Sequence, residues 1–160
     1  MYRHKRVLVA LDGSTAGEAV LRFLMEMAGP LDMTVLLLHV LEPMPAQVTD
    51  STVVFDDVEA RRHEAEEYLA PISAALRSQG VDTAWAIRRG RPATEILASA
   101  RESGANLIAM ATHGRTGLGR LLFGSVAEAV LRHAPVPVFM IREPHVIAAA
   151  PAGTRKEAVR

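Results

Sequence analysis

The sequence contains no cysteine. That excludes disulfides, thiolate catalysis and cysteine-ligated metal, and it fits a reducing cytosol. It also has no excess charge of either sign, with 18 Lys and Arg against 18 Asp and Glu. No global field therefore draws the chain to nucleic acid or to an anionic membrane, and near-neutrality removes one barrier to self-association. Long apolar runs are missing too: the longest, Val35 to Leu41, is interrupted by His39 and is far too short to span a bilayer. The charged start, Met1 to Arg6, leads directly into a strand pattern and not into a secretory core with a cleavage site. The expectation is a soluble, cytoplasmic protein. Its 160 residues, 49% of them hydrophobic, suit one domain with a substantial core.

Apolar runs and helical spacings alternate along the chain. Arg6 to Leu11 is almost wholly apolar, as a strand covered on both faces should be. Asp12-Gly13-Ser14 turns the chain, Ser14 is a good N-cap, and Val20, Phe23, Leu24 and Met27 predict a helix ending at Gly29-Pro30. A second strand spans Thr34 to Val40. Leu41 to Phe55 reads as one long irregular connection. A charged helix is expected from Asp56, with Val58, Ala65, Leu69, Ile72 and Leu76 as its apolar stripe. Its Glu59, Arg61, Arg62, Glu64, Glu66 and Glu67 read as a solvated face, and Pro71 as a site of kinking or division. Ser78-Gln79-Gly80 closes that helix.

A more polar third strand, Val81 to Arg88, belongs nearer a sheet edge. Arg88, Arg89 and Arg91 crowd the next turn, either solvated or touching an anion, and Pro92 opens a third helix. Leu107 to Met110 is the fourth strand, Ser125 to about His133 the fourth helix, and Val136 to Ile141 a last strand whose Pro137 marks it as an edge. An exposed edge can pair with another copy. Strands alternating with helices give an open doubly wound α/β sheet, whose ligands bind beyond the carboxyl ends of the strands. The alanine-rich and charged stretch 143–160 has no buried pattern and reads as a mobile tail after a 1–142 domain.

Between the fourth strand and fourth helix lies Thr112-His113-Gly114-Arg115-Thr116-Gly117-Leu118-Gly119-Arg120, reaching Gly124-Ser125. Glycines there allow close backbone approach, and a helix N-terminus at Gly124-Ser125 favours an anion such as phosphate. Arg115 and Arg120 add positive charge. The same spacing also fits a mobile surface loop in which Ser125 is only an N-cap. Asp12, ending the first strand, could meet ribose hydroxyls or a divalent ion bridging phosphates, or bond the local turn.

From Gly114 onward the stretch resembles the nucleotide-binding signature of the universal stress protein family, Gly-x2-Gly-x9-Gly-(Ser/Thr). Nine residues separate Gly114 from Gly124, and Ser125 follows. The pattern departs at its first position, where Ala111 stands in place of the glycine that lies against the ribose in the family. The resemblance runs from about Lys5 to Arg142 and includes the Gly90-x-Pro92 turn. It implies a five-stranded parallel sheet of order 3-2-1-4-5, of the adenine nucleotide alpha hydrolase-like kind, with Asp12 beside the glycine loop. It further implies that Ala10, Val40, Met110, Ala111 and His113 line the base and ribose. Gly114, Arg115, Gly124, Ser125 and Val126 would hold the phosphates of ATP, accompanied by Mg or Mn near Asp12. A homodimer through the Val136 to Arg142 edge is implied as well.

Other signatures are missing. Gly119-x4-Gly124-Ser125 lacks the lysine of a P-loop, and there is no His-Glu-x-x-His, no His-x-Gly-His after the first strand and no Gly-x-Ser-x-Gly elbow. No positioned base is evident at the loop, so fast hydrolysis is not expected. The first reading is a stress-responsive regulatory protein that holds ATP with a divalent ion and hydrolyses it slowly or not at all. A second, resting on Ala111, is a dimeric scaffold that binds no nucleotide. A third is a slow ATPase or autophosphorylating switch with Ser14, Thr116 or Ser125 as acceptor.

Overall fold

A computed structural model of the chain describes residues 5–28, 32–43, 51–112 and 124–142. The 143–160 stretch and the Gly29-Pro30 stop lie outside the described residues. Strands β1 (Lys5–Leu11), β2 (Met33–Leu41), β3 (Thr83–Arg89), β4 (Leu107–Thr112) and β5 (Val138–Arg142) alternate with helices α1 (Thr15–Ala28), α2 (Ser51–Ser78), α3 (Pro92–Glu102) and α4 (Ser125–His133). The sheet order is β3-β2-β1-β4-β5, every described pairing is parallel, and it is the order that the resemblance implied.

Strand β1 sits at the centre. Because successive side chains point to opposite faces, Val7, Val9 and Leu11 pack with Val20 and Leu24 of α1 and with Leu69 and Leu76 of α2. Leu8 turns the other way, joining Ile96 and Leu97 of α3 and Ala127 and Val130 of α4. Each face thus has its own core, which is why β1 can carry no polar alternation. Burying one such aliphatic side chain contributes about 1.5–3 kcal/mol.

Three boundaries differ from expectation. Helix α2 begins at Ser51, so it takes in residues read as part of an irregular connection; the run Thr52-Val53-Val54-Phe55 has weak helix propensity, which is why its local pattern does not announce a helix. Pro71 neither ends nor divides α2. It lies on the exposed side with Glu67, whose carbonyl loses a helical donor where water can replace it. Pro137 precedes β5 and so removes no donor from that strand, while its carbonyl accepts from the Ile108 N–H at 3.0 Å. The edge positions of β3 and β5 are as expected, and the lone tryptophan, Trp85, is 36% exposed on β3.

The end of α2 is closed as the Ser78-Gln79-Gly80 reading anticipated. Gly80 N–H donates to the Arg77 carbonyl at 2.9 Å and Val81 N–H to the Leu76 carbonyl at 3.1 Å, with Gly80 at φ +84. This is a Schellman arrangement, and its apolar pair, Leu76 and Val81, is buried in the core. A Cβ at Gly80 would meet no described atom within 4 Å, so substitution there probes backbone strain alone. Gly80→Ala should lower stability by about 1 kcal/mol, and Gly80→Asn by less. Urea unfolding of both variants checks this; equal stability of Gly80→Ala and the parent would refute the strain.

Candidate functional site: a cavity over the carboxyl ends of the strands

Strand β1 ends in a turn that bends back on itself. Gly13 takes φ +84, a conformation that suits glycine. The Ser14 N–H and hydroxyl both donate to Asp12 Oδ1, at 3.0 and 2.6 Å. Ser14 Oγ in turn accepts from the Gly17 N–H at 3.0 Å, so Ser14 caps α1 as its sequence position predicts. A Cβ on Gly17 would stand 2.6 Å from Asp12 Oδ1. Glycine at 17 therefore lets the carboxylate fold over the helix start, a role that sequence reading missed. Asp12 thus performs the local turn bonding while lining the cavity described next.

Above the carboxyl ends of β1, β2 and β4 opens a cavity of about 540 Å³. The ends of β1 and β2 supply Ala10, Asp12 and Val40, and the end of β4 supplies Met110 and Ala111. The head of α4 adds Gly124, Ser125 and Val126. Eight residues singled out in the sequence are therefore brought together on one wall system. The remaining three, His113, Gly114 and Arg115, lie outside the described residues with the rest of 113–123. Pro92 and Ile96 of α3 extend the apolar side and the buried, polar Thr112 of β4 also lines the cavity; none of these was anticipated as lining.

At α4 the N-cap is Gly124, with φ −56 and ψ 157, and Ser125 is the first helical residue; the alternative of Ser125 as N-cap is not what forms. No described side chain caps this helix. Its first-turn N–H groups and the positive end of its dipole consequently face outward beside the cavity. Gly124 needs no left-handed backbone. What it contributes is space, since a Cβ there would find no described atom within 4 Å.

His39 also lines the cavity. Its Nδ1 donates to the Leu11 carbonyl at 2.9 Å and its ring meets Tyr68 edge-on, with centroids 6.1 Å apart. It is a satisfied histidine at the cavity rim. Burial raises the pKa of the Tyr68 hydroxyl above its ordinary 10.0, and the carboxylates of Glu18 and Asp12 push it the same way.

One expectation about α2 fails. Arg62 and His63 do lie on a solvated face, paired with Glu66 at 3.2 Å and Glu67 at 3.3 Å. Arg61 does not. It is partly buried, lines the cavity and donates through Nη1 to the Glu42 carbonyl at 3.0 Å. The signal was in the spacing: position 61 falls three after Val58 and four before Ala65, on the inward stripe itself. Of the arginines at the β3–α3 turn, Arg88 pairs with Glu102, and Arg89 and Arg91 are exposed; none of the three lines the cavity.

The universal stress protein family model matches residues 3–142. The chain belongs to the universal stress protein family. A universal stress protein of Methanocaldococcus jannaschii is 30% identical over 142 residues, 88% of this chain and 84% of that protein. Among solved structures, the hypothetical protein MJ0577 superposes with a TM-score of 0.77 at 26% identity, covering 90% of this chain and 99% of that one. The universal stress protein of Archaeoglobus fulgidus in complex with dAMP gives 0.60 at 26% identity, covering 88% and 99%. Among the described residues, no helix of this universal stress protein is long and apolar enough to cross a membrane.

Because the folded state holds the Tyr68 proton more tightly than the unfolded chain does, the contribution of this group is complete below pH 10 and lost as pH rises above it. Tyr68→Phe should flatten the alkaline fall in stability relative to the parent. Thermal melts from pH 8 to 11 check this, and parallel curves for the two proteins would refute it.

Proposed function

We propose that this universal stress protein is a cytoplasmic regulatory ATP-binding protein, holding the nucleotide with a divalent cation in the cavity at the carboxyl ends of β1, β2 and β4. The carrying observation is the head of α4, which no described side chain caps and which is open at Gly124 to the same cavity as Asp12. N–H groups of that first turn and the Ser125 hydroxyl would hold the phosphates. Val40, Ala10 and Met110, on the apolar side, would take the base, with Ala111 against the ribose. His113, Gly114 and Arg115 would complete the enclosure, as the family resemblance implies. The dAMP complex of the Archaeoglobus fulgidus protein supports an adenine nucleotide as ligand class.

The donor set fits a cation carried in with the phosphates. Among the described residues, no group of three His, Cys, Asp or Glu could hold a metal ion unaided. Asp12, one of two carboxylates lining the cavity with Glu42, would meet such a cation, with Ser14 fixing its direction. Bound Mg or Mn would neutralise phosphate charge. For hydrolysis a base must reach an attacking water, and Glu128, one turn into α4, is exposed and paired with Arg132 at 2.8 Å. Slow turnover or none is part of this proposal. We further propose a homodimer joined through the β5 edge.

Titration calorimetry with Mg-ATP tests the first claim. The parent should bind, and Gly124→Leu should remain folded, with an unchanged melting temperature, yet show no measurable heat. A flat trace for the parent at high protein concentration would instead favour a scaffold that binds no nucleotide. For the dimer, removal of residues from Val136 onward should yield monomer or aggregate in size-exclusion chromatography, and a clean dimer would place the interface elsewhere.

A further inference from the structure

Arg61 is the only arginine or lysine among the described residues of the cavity wall. It comes from α2, which packs on the sheet face opposite α3 and α4 and reaches the cavity over the end of β2. There it is braced: Nη1 donates to the Glu42 carbonyl at 3.0 Å, just past Val40. A guanidinium carries five N–H donors in a rigid plane, so the brace leaves donors for a second partner. The head of α4 is on the other side. Strands β2 and β4 flank β1, so the strand ends beside Arg61 and beside α4 lie two strand spacings apart, about 10 Å. A cation placed over the β2 end, beside Val40, is on the side of the cavity away from the α4 head.

Resting on the nucleotide reading above, we propose that Arg61 is a base-binding residue: its guanidinium, fixed by the Glu42 carbonyl, donates to acceptor nitrogens of the purine ring seated against Val40. The brace orients the plane of the fork, so the residue contributes directional recognition and not only charge. The apolar floor of Val40 and Met110 accepts the ring without discriminating between rings. Arg61 adds the polar contact by which the site senses the base.

The test compares Mg-ATP and inorganic tripolyphosphate as ligands of the full chain and of Arg61→Ala and Arg61→Lys, by calorimetry, with melting temperatures recorded for all three proteins. Arg61→Ala should weaken ATP about tenfold or more, the scale of a hydrogen bond from a charged donor, and leave tripolyphosphate unchanged. Arg61→Lys should stay close to Arg61→Ala, because it restores the charge without the fork. An equal loss for tripolyphosphate would make Arg61 a phosphate ligand and overturn the proposal. So would ATP affinity unchanged in Arg61→Ala, or fully restored by lysine. If the parent binds no ATP, the nucleotide reading fails and takes this one with it, whereas binding by the parent that is indifferent to residue 61 sinks this one alone.

Discussion

The structure depends on the two pairings of one strand, β1 with β2 on one side and with β4 on the other. From β1 the chain passes by α1 to β2, but its other neighbour arrives only after β3 and α3 have been built. The helices leaving β1 and β4 therefore depart to opposite faces, and the sheet parts at their carboxyl ends. A cavity at that position is a consequence of the winding order before any side chain is chosen. Side chains decide what it can hold: small or apolar groups on the strands, a helix head that no described side chain caps at one end and a braced guanidinium at the other.

Parallel strands buried on both faces leave a strong signature in sequence, and β1 and β2 were legible from their apolar runs alone. Helix ends were legible where they carry special residues, as at Ser14, Gly80 and Pro92, because each solves a local backbone problem that few residue types can solve. The start of α2 was not. Its first residues are mostly β-branched or aromatic, types whose own propensity argues against a helix. The strand order could not be read from local pattern, since lateral pairing is a long-range property; it came from the family resemblance.

The site was legible in a similar, divided way. Asp12, Gly124 and Ser125 stand at ends of elements, where sequence punctuation is strong. Gly17 and Arg61 lie inside helices, where their types suggest nothing unusual. Gly17 matters because of an atom five residues earlier in the chain, and only coordinates place Asp12 Oδ1 against it. By residue type Arg61 reads as one more member of a charged surface, and only its position on the inward stripe sets it apart. Its neighbours Arg62 and His63 do face solvent, which shows that the distinction was one of angle around the helix axis.

The lone tryptophan has a practical meaning. Trp85 pairs in register with Leu37 and so shares the sheet face on which α2 packs, at the rim farthest from β4 and β5. Its intrinsic fluorescence is therefore a built-in optical gauge of whether α2 stays seated on that outer strand. Light emitted there speaks for one flank of the molecule and is silent about the opposite one.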